Sequence, residues 1–165
     1  MVRQGGPAVN ELRTRTIRMA PSILPDLCTG CEACVIACAL AREGSTAPGL
    51  ARLWVARRGE GSAFRPVACA QCADPPCLEA CPSGARIADP KTGLVRVLEH
   101  RCIGCAACVR ACPTGAVRMR PGGATSLSCD ACGGEPACVE ACATGALRFR
   151  PPSSAARRKL HHGEK

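Results

Sequence analysis

Sixteen cysteines in four successive groups of four constrain this chain more than any other feature. The first group is Cys28, Cys31, Cys34 and Cys38 in CTGCEACVIAC, and the third is Cys102, Cys105, Cys108 and Cys112 in CIGCAACVRACP; both have the spacing C-x2-C-x2-C-x3-C. The second group, Cys69, Cys72, Cys77 and Cys81 in CAQCADPPCLEACP, widens the middle gap to four residues. The last, Cys129, Cys132, Cys138 and Cys142 in CDACGGEPACVEAC, widens it to five. Self-similarity of this kind marks one small unit used repeatedly along a chain. Against it stands a shortage of bulk: in 165 residues there are no Tyr, two Phe and one Trp. A domain of this length ordinarily fills its centre with aliphatic and aromatic side chains. Here the thiols and what they hold must organise the interior.

Three kinds of partner suit grouped thiols: other thiols, zinc, or iron and sulfide. Disulfides belong to oxidising compartments. Met1–Ala20 (MVRQGGPAVNELRTRTIRMA) has neither a secretory apolar stretch nor an adjacent arginine pair, so the expectation is a cytoplasmic chain with thiols as metal ligands. Export alongside a signal-bearing partner is the alternative route. Zinc ribbons use two separated CxxC pairs per metal. Three cysteines within seven residues and a fourth shortly after is the iron-sulfur pattern. Four [4Fe-4S] clusters are therefore expected. The first three thiolates of a group must reach three corners of one cubane, which calls for a tight loop with inward N–H groups, and Gly30 and Gly104 suit left-handed positions in it. The fourth cysteine is expected on the short helix that follows, pointing away from the other three. In bacterial two-cluster ferredoxins that cysteine ligates the partner cluster, so each group serves two clusters.

The formal charge of +9 would ordinarily suggest a nucleic acid or an acidic membrane surface. Each cluster with its four thiolates adds about −2, however, so four add about −8 and bring the loaded protein near neutrality. Almost no aromatic side chains are available to stack on bases, and no run of about twenty apolar residues could span a membrane. Neither nucleic acid nor a membrane span is expected.

Between the groups the pattern reads as short strands. Val117–Arg120 and Leu147–Arg150 alternate apolar residues with arginines. Ala85–Ala88 and Leu94–Leu98 form a hairpin around Asp89–Gly93, and Arg52–Arg57 is a further strand carrying Trp54, read as packing over a cluster. Residues 1–26 are read as an N-terminal arm and first strand, 27–150 as the cluster-bearing domain, and 151–165 as a basic tail. His161 and His162 belong to that solvated tail, and His100 to the surface.

The order CTGCEAC, CAQCADPPCLEACPSGA, CIGCAACVRACPTGA, CDACGGEPACVEACATGAL resembles the four-cluster ferredoxin-like subunits of dimethyl sulfoxide reductase and formate dehydrogenase type enzymes, hydrogenase-associated polyferredoxins, and the small subunits of tungsten-dependent aldehyde oxidoreductases. The resemblance spans roughly Leu27 to Arg150. It implies an α+β fold of tandem bacterial ferredoxin-like units in a pseudo-twofold repeat, with short helices and small two-stranded sheets. It also implies a pairing of outer groups (28–38 with 129–142) and of inner groups (69–81 with 102–112). Cluster 1 would take Cys28, Cys31, Cys34 and Cys142; cluster 2, Cys129, Cys132, Cys138 and Cys38; cluster 3, Cys69, Cys72, Cys77 and Cys112; cluster 4, Cys102, Cys105, Cys108 and Cys81. The chain departs from the family at Ala143, where proline often stands, and in the short middle gap of its fourth group.

No nucleophile-and-base motif, phosphate-binding glycine loop or radical-generating cysteine pattern is present. The chain is expected to move electrons and not to transform a substrate by itself. Its brevity resembles the soluble small polyferredoxins, which favours a tungsten-pterin aldehyde oxidoreductase as catalytic partner, with a flavin and nicotinamide subunit as acceptor. A molybdenum-pterin subunit, a hydrogenase, a carbon monoxide dehydrogenase or a formate dehydrogenase are alternative partners. A maturation role without wiring, and an extended oligomer of chained iron-sulfur subunits, are the further readings. Arg101, Arg110, Arg118 and Arg148 are the cations nearest to ligands along the chain and the expected tuners of cluster potential.

Overall fold

The computed structural model describes residues 20–59, 63–90 and 92–150. Most of the N-terminal arm, residues 1–19, and the whole basic tail with His161 and His162 lie outside the described residues. Within them, four helices and eight strands alternate in an α+β arrangement: β1 (Ala20–Ile23), α1 (Ala33–Glu43), β2 (Leu53–Arg58), β3 (Ala63–Ala68), α2 (Pro76–Glu79), β4 (Arg86–Ala88), β5 (Val95–Val97), α3 (Ala107–Ala111), β6 (Arg118–Met119), β7 (Ser126–Leu127), α4 (Ala137–Glu140) and β8 (Leu147–Arg150).

The strands pair only in twos, all antiparallel: β1 with β8, β2 with β3, β4 with β5, and β6 with β7. The first pair joins the two ends of the cysteine-bearing region, with Ile23 opposite Leu147 and Pro21 opposite Phe149. The helices nest in the same way, α1 packing against α4 and α2 against α3. Outer elements thus meet outer, and inner meet inner.

The hairpin at β4–β5 and the strand at β8 fall where the sequence pattern places them. β3 is an addition, because Pro66 in AFRPVA argues against a strand. A two-stranded sheet makes every strand an edge, so a proline whose missing N–H faces outward costs no ladder bond; Pro66 sits opposite Val55. β6 is shorter than the alternation of Val117–Arg120 suggests, and its partner β7 has no pattern of its own. The fourth cysteine needs correction too. Only Cys38 lies within a helix; Cys81, Cys112 and Cys142 follow the ends of α2, α3 and α4. Pro82 and Pro113 account for two of these, since a residue before proline is driven out of the helical region.

Among the described residues, the apolar interior is two small clusters. One gathers Cys34, Val35, Cys38, Ala39, Ala51, Leu53, Ala68, Cys138 and Leu147; the other is only Cys77, Val95, Cys108 and Val117. The third cysteine of every group is thus a core residue, which is how a chain so poor in large side chains encloses anything. Polar ties link the inner and outer halves. Glu43, at the end of α1, receives Arg52 at 2.8 Å and Arg120 at 2.9 Å, and Arg120 also reaches Glu99 at 3.4 Å. Trp54, half-buried, donates its indole N–H to the carbonyl of Gly115 at 3.3 Å, which pins the β2–β3 hairpin to the turn that follows Cys112.

Candidate metal centres

Each group begins with a loop whose residue just before the second cysteine is left-handed: Gly30 (φ 77°), Gln71 (φ 48°), Gly104 (φ 69°) and Ala131 (φ 60°). In the first and third groups a second left-handed residue follows, Glu32 (φ 58°) and Ala106 (φ 57°), immediately before the helix. Successive turns of this hand point backbone N–H groups inward and form concavities that attract anions. Glycine is obligatory at two of the four positions. A Cβ on Gly30 would stand 2.6 Å from the Phe64 ring, and one on Gly104 would stand 2.7 Å from the carbonyl oxygen of Gly123. Gln71 and Ala131 take the same conformation at a cost of order 1 kcal/mol or more. Local bonds hold the second of these loops: Ala131 N–H donates to Cys129 Sγ at 3.4 Å, and Cys132 N–H to Asp130 Oδ1 at 3.2 Å.

The fold gathers the thiols across groups. One cavity is ringed by Cys38, Cys129, Cys132 and Cys138, and a second by Cys81, Cys102, Cys105 and Cys108. The thiols grouped around Cys34 are those of Cys142, Cys31 and Cys28, and around Cys69 those of Cys77, Cys72 and Cys112. In every case three cysteines of one group meet one from another. All sixteen are free thiols.

Their electrostatics divide in two. Burial first, and then neighbouring thiols, push Cys34 and Cys69 up to about 11 and Cys138 up to about 12; Cys129 is driven up in the same way. Cys38 and Cys77 are raised by burial, although the Arg52 N–H tempers the first and Arg86 the second. The fourth cysteines of the other three groups behave oppositely. Burial raises them, but surrounding donors outweigh it: Ser83 with the N–H groups of Arg86 and Ala85 at Cys81, Thr114 with those of Val117 and Ala116 at Cys112, and Thr144 with those of Leu147 and Ala146 at Cys142. The hydroxyls lie 3.7, 3.5 and 3.7 Å from the three sulfurs. The segments C-x-[ST]-G-A that follow these cysteines are thus thiolate cradles, a signal already present in the sequence as CPSGA, CPTGA and CATGA.

These residues fit an iron-sulfur cubane. A thiol must be deprotonated to ligate, and buried thiolates this close repel one another unless a cationic core lies among them. Among the described residues, no three Cys, His, Asp or Glu side chains converge tightly enough for a single metal ion. Four thiols converging on one cavity are suited to a group that offers four separate iron atoms.

Two of the sets also lie side by side. Ala68, next to Cys69 in the chain, lines the cavity at Cys38, Cys129, Cys132 and Cys138, so that cavity lies against the set containing Cys69. Gln71, 4% exposed, spans that junction: its Nε2 donates to the Cys129 carbonyl at 2.7 Å, and its Oε1 accepts from the Val95 N–H at 2.7 Å. Of the arginines adjacent to ligands in sequence, Arg101, Arg110 and Arg148 are exposed and Arg118 is half-buried. The cations lining the cavities are instead Arg52 and Arg86, distant in sequence from most of the thiols they face.

A family model described as a 4Fe-4S dicluster domain matches residues 61–151, and one described as a 4Fe-4S binding domain matches residues 25–41. Among curated proteins, the chain is 45% identical over 112 residues to the polyferredoxin-like subunit of the aliphatic sulfonate oxidoreductase of Pyrococcus furiosus, covering 68% of this chain and 64% of that protein. It is 40% identical over 107 residues to a subunit of the tetrathionate reductase of Archaeoglobus fulgidus, covering 64% of this chain and 50% of that protein. The match thus spans about half to two-thirds of these relatives' own lengths. Among solved structures, the active site complex BamBC of benzoyl coenzyme A reductase aligns over 87% of this chain and 88% of that chain, at 23% identity and a TM-score of 0.46.

Proposed function

Because this chain belongs to the family of 4Fe-4S dicluster domains and binds several [4Fe-4S] clusters, we propose that it is the electron-transfer subunit of a reductase or oxidoreductase complex. Its sixteen cysteines hold four clusters in the sets 28/31/34/142, 129/132/138/38, 69/72/77/112 and 102/105/108/81. The two nested halves, α1 with α4 and α2 with α3, are then two ferredoxin-like units related by a pseudo-twofold axis. When bound, each cluster supplies a one-electron couple whose potential depends on burial and on hydrogen bonds to its sulfurs. The rest is the work of the chain. Ala39, Ala51 and Leu147 exclude water from the outer half, and Val95 and Val117 do so in the inner half. The cradles after Cys81, Cys112 and Cys142 favour the thiolate form of those sulfurs.

The observation that carries the reading is the junction of Cys129 with Cys69, bridged by Gln71. With the sets assigned as above, it supports one continuous row, running from that of Cys28 through those of Cys129 and Cys69 to that of Cys102, over two isolated pairs. At the two ends of that row stand Cys31 and Cys105, the exposed cysteines among the sixteen, through which electrons would enter and leave.

For the catalytic partner, a tungsten- or molybdenum-pterin subunit is proposed, the first choice being a tungsten aldehyde oxidoreductase that delivers electrons through this chain to a flavin and nicotinamide subunit in the cytoplasm. The names of the relatives favour a second reading of the substrate: aliphatic sulfonate and tetrathionate are both oxidised sulfur compounds. The test is anaerobic copurification from the native host, metal analysis of the associated catalytic protein, and electron paramagnetic resonance after adding an aldehyde, a sulfonate or tetrathionate. Partner tungsten with cluster reduction by aldehyde supports the first reading. A redox response to the sulfur compounds supports the second. Fixed association without any redox response would leave maturation as the function.

A further inference from the structure

Two arginines line the thiol cavities, and they differ in one respect. Arg52 borders the cavity of Cys38, Cys129, Cys132 and Cys138, and Glu43 neutralises it at 2.8 Å. Arg86 borders the cavity of Cys81, Cys102, Cys105 and Cys108. It is 4% exposed, and no carboxylate pairs with it among the described residues. Its Nη1 donates to Ser128 Oγ at 3.0 Å and its Nη2 to Ser126 Oγ at 3.2 Å, while Nη1 lies 4.0 Å from Cys77 Sγ. Its Nε is buried without a partner. A buried guanidinium bonded only to two hydroxyls and, at long range, one cysteine sulfur is costly unless some other negative charge compensates it. Arg86 approaches Cys77 of one inner set and lines the cavity of the other, so the inner cysteine sets are where that charge resides.

We propose that Arg86 is a potential-setting residue: its unpaired guanidinium, enclosed between the two inner cysteine sets, makes both inner clusters easier to reduce. The inference rests on the cluster assignment proposed above. The physical basis is Coulombic. A reduced cluster carries one more negative charge than an oxidised one, and a fixed cation in a poorly screened interior stabilises that form more. Arg52 exerts less of this effect, because Glu43 offsets its charge.

The test is a redox titration of the purified full chain followed by electron paramagnetic resonance, with iron content measured in parallel. In Arg86→Gln, two of the clusters shift to lower potential at unchanged iron content and the other two stay in place; Arg86→Lys, which keeps the charge, restores most of the shift. Arg52→Gln moves its cluster less. If Arg86→Gln fails to take up iron, Ser128→Asp decides the matter, since a carboxylate there neutralises Arg86 in place and lowers the same two potentials. Unshifted potentials in a fully loaded Arg86→Gln, or equal shifts in the Gln and Lys variants, overturn the proposal, as do unshifted potentials in Ser128→Asp. A wild-type chain without [4Fe-4S] signals overturns the cluster assignment and this inference together, whereas normal wild-type signals with unmoved variants overturn this inference alone.

Discussion

Replacing Gln71 by alanine removes both bonds that close the junction between the outer and inner halves. The Cys129 carbonyl loses a donor at 2.7 Å, and the Val95 N–H loses an acceptor at 2.7 Å in a residue only 1% exposed. A buried polar group left without its partner costs about 1–3 kcal/mol, so the two together cost about 2–6 kcal/mol. The left-handed backbone at φ 48° adds nothing to the difference, because alanine bears the same Cβ penalty as glutamine. Hydrogen exchange of the holoprotein, read by mass spectrometry under anaerobic conditions, reports on Val95 directly. Loss of 1–3 kcal/mol of local protection corresponds to exchange roughly 5- to 150-fold faster in the peptide carrying β5, with the β1–β8 peptides unchanged. Unchanged exchange at β5 in Gln71→Ala would refute the assignment of Gln71 as the clamp between the halves.

Three other outcomes are expected. The carboxyl of Glu43 is held below the ordinary carboxylate range chiefly by the Arg120 hydrogen bond, with burial opposing and Arg52 assisting. Its stabilisation is therefore complete above the ordinary carboxylate value and disappears as pH falls through the lower folded one, so Glu43→Gln should lose cluster absorbance faster than wild type near neutrality, and the two rates should converge in acid. Gly104→Ala places a methyl 2.7 Å from the Gly123 carbonyl oxygen at a φ of 69°, and iron analysis should show loss from the inner half while the outer clusters remain. Chelation of all iron should unfold the chain, since the third cysteine of each group is a core residue and burial with thiol repulsion raises Cys34 and Cys138. An apoprotein that retains cooperative tertiary structure by circular dichroism would contradict that account.

The cofactor class and the local loops were legible along the chain. Cysteine spacing limits which thiols can share a cubane, and Gly30 and Gly104 mark backbone turns that glycine adopts at least cost. Strands at Leu147–Arg150 and in the β4–β5 hairpin could be read from alternation, because those residues have one buried face. β3 could not, since Pro66 is tolerated only where an edge is free, and that depends on sheet size. The helical position expected for every fourth cysteine holds only for Cys38; after the other three, hydroxyls and N–H groups converge on the sulfur where the chain leaves the helix. The cations beside the thiols are a matter of folding alone. Arg101, Arg110, Arg118 and Arg148 adjoin ligands along the chain, yet Arg101, Arg110 and Arg148 are exposed to solvent, which screens them. Arg52 and Arg86 are brought to the cavities at the β2–β3 and β4–β5 hairpins. Whether either charge is offset depends on partners contributed by other elements, a carboxylate, Glu43, for Arg52 and two serines and the Cys77 sulfur for Arg86. Burial and pairing of a charge are properties of three-dimensional neighbours, and no spacing along the chain encodes them.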